Sequence, residues 1–181
     1  GGGTTSVVAY VEGSPVHSAV LPIGGKLITS DLAIGLRAKL EDAEKIKLEL
    51  GDKTKVTPGK KLDEGGDELF DLSSYNLEVD SVPRKVLCGI IDARLKEIFE
   101  LISLEISKAD LNKKLPAGAV VTGGAARTVG VEKSAKSILR LPVRIGTPRG
   151  VTGLIDEIQG PASSAAVGAI LYGVNLYRTN S

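Results

Sequence analysis

The chain contains no methionine and no tryptophan, one cysteine and one histidine, and aromatic residues make up only 3% of it. Each scarcity removes a class of function. Stacking on nucleic-acid bases needs clustered aromatic faces, so nucleic acid is not an expected partner. A lone cysteine, Cys88, excludes an internal disulfide framework and points to a reducing compartment. Inside a helical pattern it reads as a buried structural thiol rather than a nucleophile. His17 stands alone on a strand, where a satisfied or exposed role fits better than a ligand role. No metal-ligand spacing occurs along the sequence. A formal net charge of +1 over 181 residues gives no reason to expect a polyanion or a membrane surface as partner. No apolar run approaches the roughly 20 residues of a membrane-spanning helix.

What remains is ordinary globular composition, 42% apolar and 25% charged, in a chain long enough for one large domain or two small ones. Glycine is plentiful, and its placement is the first positive signal. Gly1-Gly2-Gly3-Thr4-Thr5 runs straight into the alternating Ser6-Val7-Val8-Ala9-Tyr10-Val11. A glycine-rich turn feeding a strand is the shape of a phosphate-cradling hairpin. Glycine allows positive φ and close backbone approach, and its N–H groups, with two hydroxyls, can face an anion. The strand that should lead into such a turn is not there. The expectation is therefore a piece of a larger protein, cut inside a nucleotide-binding site.

Residues 5–11 and 16–23 read as two strands joined by Glu12-Gly13-Ser14-Pro15. Thr29, Ser30 and Asp31 offer N-cap chemistry, and Leu32, Leu36, Leu40 and Ala43 recur at helical spacing, so one amphipathic helix is expected over 30–50. Residues 52–68 are almost devoid of apolar side chains and read as a solvated loop. Residues 69–72 and 75–79 are expected to form a short hairpin across Ser73-Ser74. Pro83 opens a second long helix, 84–108, with Leu87, Ile91, Leu95, Ile98, Ile102 and Ile106 on one face and Val86, Ile90, Phe99 and Leu101 widening it. Ala119–Thr122 is a short buried strand entering Gly123-Gly124-Ala125-Ala126. A helix over 131–139 and a strand over 143–146 follow, and 148–161 is mostly loop. A small-residue helix over 162–172 is expected to lie close against a sheet, with a frayed tail over 175–181. This order suggests one subdomain, 1–24 plus 115–181, interrupted by an inserted one, 25–114.

Three segments carry candidate chemistry. The first is the glycine turn. The second is Val120–Ala126, where a buried strand ending in Gly-Gly before a helix lets a flat or anionic ligand lie against backbone. The third is Ala43-Glu44-Lys45-Ile46-Lys47, in which Glu44 and Lys47 share one helix face. A carboxylate accepts from ribose hydroxyls and a lysine donates to one. Taken singly, each also fits a bland role: a hairpin turn, a tight strand-to-helix turn, a surface ion pair.

Taken together, in this order and spacing, they resemble the actin-like ATPases, and within them the FtsA cell-division family. Gly1 to Thr5 looks like the family's second phosphate loop. Leu21-Pro22-Ile23-Gly24-Gly25-Lys26-Leu27-Ile28-Thr29-Ser30-Asp31-Leu32-Ala33 resembles its Pro-x-Gly-Gly turn followed by Ile-Thr-x-Asp-Ile-Ala. Ala43–Lys47 is similar to its Ala-Glu-x-Ile-Lys adenosine contact, Val121–Ala126 to its adenosine loop, and Pro161-Ala162 with Ala166–Gly173 to its closing helix. The motif set separates this family from chaperones and sugar kinases more sharply than from MreB-like filaments and pilus-assembly ATPases.

The resemblance implies an α/β fold: the second lobe of an actin-like (ribonuclease H-like) ATPase, with subdomain IIA at 1–24 and 115–181 and an inserted α+β subdomain IIB at 25–114. It implies ATP with magnesium as the full-length protein's ligand. Gly1, Gly2, Gly3, Thr4 and Thr5 would face the β- and γ-phosphates, Glu44 and Lys47 would hold the ribose, and Gly123, Gly124 and Ala125 would let adenosine lie flat. Half a cleft leaves a triphosphate solvated on one side, so weak or no nucleotide binding, and no catalysis, is expected of this lobe alone; no residue is assigned a catalytic role. The implied partner is the C-terminal tail of the tubulin-like protein FtsZ, docked on the second long helix through Arg84 and Arg94, with Lys85 and Lys96 adding to a basic face. Arg94 sits in the pattern Ile91-Asp92-Ala93-Arg94-Leu95-Lys96-Glu97-Ile98. Self-association into filaments is implied as well. So is a cytoplasmic place at the inner face of the membrane at the division site, reached only through a segment outside this chain. The competing reading is a lobe of another actin-fold ATPase or kinase whose ATP turnover is the main activity.

Overall fold

In the computed structural model the described residues are 1–51, 68–151 and 158–179. The expected solvated loop therefore lies outside the described residues except for Glu68, as do residues 152–157 of the expected later loop and the last two residues of the tail.

The first two strands, β1 (Thr5–Val11) and β2 (Ser14–Leu21), form an antiparallel hairpin. Their turn residues Glu12 and Gly13 are both left-handed, at φ 51° and 80°, which matches the right-handed twist of the strands. Ala9 on β1 is buried beside Ile106 and Leu111, and His17 on β2 holds the Glu105 carboxylate at 3.1 Å from Nε2.

The expected single helix is two. α1 (Gly25–Leu36) starts about one turn earlier than Thr29-Ser30-Asp31 would place it, because its first amides find backbone acceptors instead of a side-chain cap. It stops where Arg37 turns left-handed at φ 51° and the Ala38 N–H bonds the Ala33 carbonyl at 2.9 Å. α2 (Leu40–Gly51) then begins in a new direction. Leu32, Leu36 and Ala43 are buried as the spacing requires, but Leu40 is exposed. The apolar spacing runs through the corner because both helices face one core.

β3 (Leu69–Asp71) pairs with β4 (Ser81–Pro83), so the expected return strand at 75–79 is displaced. A 3-10 turn over Ser73–Tyr75 intervenes, held by the Asp71 carboxylate, which accepts the Ser73 N–H at 2.9 Å. Buried Leu72 anchors it, and the Leu72 N–H donates to the Asp80 carbonyl at 2.8 Å.

α3 (Arg84–Lys108) has the expected bounds and is the spine of the molecule, packed on α1 along one flank and α4 along the other. Leu87, Ile91, Leu95, Ile98, Phe99 and Ile106 are buried. The wider stripe is narrower than expected: Val86 and Leu101 are exposed, and Cys88 is only half-buried.

β5 (Ala119–Val121) and β6 (Val143–Ile145) are parallel and joined through a 3-10 turn at Gly124–Arg127 and α4 (Val131–Leu139). The last helix, α5 (Ser164–Thr179), follows a 3-10 turn at Pro161–Ser163. It does not lie on a sheet among the described residues. Only Val167 is buried, while Ile170, Tyr172, Leu176 and Tyr177 are exposed. Its anchorage is at its start, where the Gly123 N–H bonds the Pro161 carbonyl and Thr122 Oγ1 meets Ser164 Oγ at 2.7 Å. The helix also continues well past the expected fraying point. One buried cluster runs from Ile23 through α1, α2 and α3 to Val143, and so crosses the expected subdomain boundary.

Candidate functional site

The glycine turn is seated on the start of α1. The Gly25 N–H donates to the Gly1 carbonyl at 2.9 Å and the Lys26 N–H to the Gly2 carbonyl at 2.8 Å. Two of the four orphan amides of the helix are thereby satisfied. The peptide bonds are trans, so the N–H of Gly2 is opposed to the Gly1 carbonyl and that of Gly3 to the Gly2 carbonyl. With both carbonyls turned to the helix, those two amides are aimed away from it. Thr5 ties the far side of the turn, donating from Oγ1 to the Ile23 carbonyl at 2.7 Å.

This contact explains why position 24 is glycine. A Cβ there would lie 2.6 Å from both the Gly1 and the Gly2 carbonyl oxygens. Gly25 is confined less severely: its Cβ would sit 3.2 Å from that of Ala125. The second glycine loop thus meets the start of α1 from the other side. Gly123 turns the chain there at φ 93°, a left-handed conformation that suits glycine.

Glu44 and Lys47 on α2 complete the wall. The ammonium of Lys47 has three protons and finds three acceptors: Glu44 Oε2 at 2.6 Å, Thr29 Oγ1 at 2.9 Å and the Gly25 carbonyl at 3.4 Å. Thr29 in turn donates to Glu44 Oε2. The lysine side chain is only 10% exposed and the glutamate 44%. Lys47 therefore faces inward, while Glu44 presents its second oxygen to solvent. Burial pushes the Glu44 carboxyl up, but the hydrogen bonds from Lys47 and Thr29 outweigh it and hold the group below its ordinary value.

A cleft of about 810 Å³ is lined by Gly1 and Gly2, by Glu44 and Lys47, and by Gly124 and Ala125. Three segments far apart in sequence share one hollow of the size that holds a nucleotide-sized ligand. Gly3, Thr4, Thr5 and Gly123 are not among the residues that line it. Sequence reasoning did not assign Thr29, which bridges Glu44 and Lys47, nor Lys26 and Arg127, which add positive charge to the walls. The Thr29 signal was its spacing of four from Gly25 on a helix, visible only once the helix start was known.

The four residues of α3 expected to form the docking surface, Arg84, Lys85, Arg94 and Lys96, do not share a face. At 100° per residue, Lys85 and Lys96 lie about 20° apart, but Arg94 is about half a turn from either. Arg94 faces α1, where Asp31 takes its guanidinium fork, and also bonds Glu97. Lys96 pairs with Asp92 at 2.8 Å, whose other oxygen accepts from Ser134 of α4 at 2.6 Å. Arg84 donates to the Leu50 carbonyl at 2.8 Å. Among the described residues no cluster of three histidine, cysteine, aspartate or glutamate side chains could hold a metal ion, and no helix is long and apolar enough to cross a membrane.

Comparison with known proteins gives a consistent answer. The family described as cell division protein FtsA matches residues 1–168. The chain is 38% identical over 172 residues to cell division protein FtsA of Neisseria meningitidis, covering 94% of this chain and 40% of the relative. To that of Pseudomonas aeruginosa it is 33% identical over 174 residues, covering 96% and 40%. The chain thus spans about 40% of the length of the curated relatives it matches. Among solved structures, MreB5 of Spiroplasma citri bound to ADP superposes with a TM-score of 0.70 at 16% identity, over 98% of this chain and 52% of that one. The PilM–PilN type IV pilus biogenesis complex superposes with a TM-score of 0.66 at 19% identity, over 96% and 44%. The fold is that of the actin-like ATPases.

Proposed function

The chain belongs to the FtsA family of cell division proteins, and from that premise we propose that it is the nucleotide-binding second lobe of an actin-fold adaptor that tethers FtsZ filaments to the membrane. The observation that carries this reading is the shared cleft of Gly1, Gly2, Glu44, Lys47, Gly124 and Ala125. Its parts suit ATP. The amides of Gly2 and Gly3 suit the phosphate oxygens, since backbone N–H groups in a glycine turn form an anion cradle. The outward oxygen of Glu44 accepts from the ribose hydroxyls, and Lys47 orients that carboxylate. The Gly124–Ala125 backbone offers a flat seat to the adenosine. Magnesium would accompany the nucleotide as its counter-ion and offset phosphate charge.

Residues 1–24 and 115–181 carry the phosphate and adenosine loops of this site, and the inserted 25–114 carries Glu44, Lys47 and the docking surface for the acidic FtsZ tail. Arg94 is its centre, because a planar guanidinium takes a carboxylate in two parallel bonds. Filament formation by stacking of lobes and residence at the inner face of the membrane follow from the same reading.

The test is a titration of the two-lobed protein, of which this chain is the second lobe, with a fluorescent ATP analogue. Glu44→Ala is expected to weaken binding at least tenfold in a variant still folded at the assay temperature. Equal affinity of the variant and the wild type would remove Glu44, and with it the cleft, from the reading. A labelled FtsZ-tail peptide checks the second site: saturable binding that Arg94→Glu abolishes supports it, and no binding at hundreds of micromolar ends it.

A further inference from the structure

We propose that Asp31 is a built-in competitor for the partner's acidic tail at Arg94, and that docking of the tail loosens α1, the helix on which the glycine turn is seated. This rests on the tail-docking reading above. The carrying observation is a bidentate pair between two helices. Arg94 donates from Nε to Asp31 Oδ2 at 2.7 Å and from Nη2 to Asp31 Oδ1 at 2.9 Å. The third nitrogen, Nη1, bonds Glu97 one turn along the same helix. Each nitrogen of the guanidinium is thus engaged. Both members of the inter-helix pair are about three-quarters buried, at 23% and 25% exposure.

The fork that a tail carboxylate would use is therefore already filled by a carboxylate of the same geometry. A tail carboxylate that takes this Nε–Nη2 edge enters by exchange with Asp31. The apparent affinity then falls below the intrinsic one by the ratio of filled to vacated forks. Exchange also has a consequence for α1. Asp31 is two residues, about 200° of helix, from Thr29, so the two side chains leave opposite flanks. Thr29 bonds Glu44 and Lys47 in the cleft, and the first amides of the helix hold the Gly1 and Gly2 carbonyls. One rigid element carries the tail lock on one flank and the cleft floor on the other. Binding at the two sites is linked through it, and the linkage is reciprocal.

The experiment titrates a labelled FtsZ-tail peptide onto the full chain and its variants. Asp31→Asn keeps the shape and removes the competing charge. It is expected to tighten peptide binding about threefold to tenfold, while Arg94→Glu loses it. Equal or weaker binding by a folded Asp31→Asn chain, with Arg94→Glu still defective, overturns the competitor and leaves the docking site standing. Failure of both wild type and Asp31→Asn to bind removes docking site and competitor together. Should Asp31→Asn not fold, the wild type decides by nuclear magnetic resonance. At peptide saturation the Arg94 Nε–H signal and the Gly25 and Lys26 amide signals are expected to move. A saturated complex in which they stay in place overturns the proposal.

Discussion

Lys47 and Glu44 stand three residues apart on α2, and it is the lysine, not the carboxylate, that is turned into the protein. The pair is thus a support and a presented group, with Thr29 as the hinge pin between them. Thr29→Val keeps the shape and removes both bonds. It is expected to cost about 1–2 kcal/mol of stability, since a buried ammonium loses one of its three acceptors. Nucleotide affinity should fall about tenfold as Glu44 loses its orientation. Chemical denaturation and nucleotide titration of the same preparation check both halves.

The same pair sets a pH dependence. The Glu44 carboxyl is held below its ordinary value of 4.5 in the folded chain. A depressed carboxyl binds protons more weakly when folded, so its stabilisation is present above that ordinary value and is lost as pH falls through the folded value. Denaturation midpoints measured from neutral pH down through the carboxylate range should decline. Glu44→Gln should show a shallower decline than the wild type, and a parallel curve would count against the assignment.

Two glycines that look alike in sequence should behave differently. Gly24→Ala places a methyl 2.6 Å from two carbonyl oxygens, so the turn must leave the helix and break two backbone bonds, at a cost of about 1–3 kcal/mol. A Cβ on Gly3 meets nothing within 4 Å. Gly3→Ala should leave the thermal midpoint unchanged while obstructing a phosphate. Melting curves with and without ATP separate the two effects.

Arg37 ends α1 in a left-handed conformation at φ 51°, and its contact to Glu78 is exposed. Arg37→Gly relieves a conformation that costs a non-glycine residue about 1 kcal/mol and gives up an exposed pair worth little. A modest rise in stability by urea denaturation is expected, and a clear loss would show that the guanidinium matters to the corner.

Tyr75 donates its hydroxyl to Glu49 at 2.7 Å, and burial together with that carboxylate pushes its pKa up to about 12. A raised pKa means that stability is fully present below the unfolded value of 10.0 and is lost as pH climbs from there to about 12. Tyr75 should titrate late in the tyrosinate absorbance, and Tyr75→Phe should remove that late step.

Much of this was legible in the sequence where a signal is local. The bounds of α3 follow from Pro83 and a regular apolar period, and the hairpin from Glu12-Gly13. The three segments of the cleft could be named because each carries its own glycine or charge spacing. What could not be read depends on contacts between distant segments. The start of α1 is fixed by carbonyls of Gly1 and Gly2, each 24 residues upstream of the amide it accepts from, and no side-chain cap announces it. The corner at Arg37 has neither glycine nor proline. The inward turn of Lys47 depends on Thr29, a partner 18 residues away. The tidy basic face on α3 failed to form because a helix spreads residues 94 and 96 to opposite sides, and each found a carboxylate of its own.

The glycine turn offers peptide amides rather than side chains, and an amide does not titrate in the range where proteins stay folded. Its grip on an anion cannot be switched by acid or alkali, nor redirected by swapping one charged residue for another. Whatever acidity-dependence the pocket displays must come from the visiting ion itself or from the charged side chains of the other walls. Adaptation at this turn is confined to altering the path of the main chain.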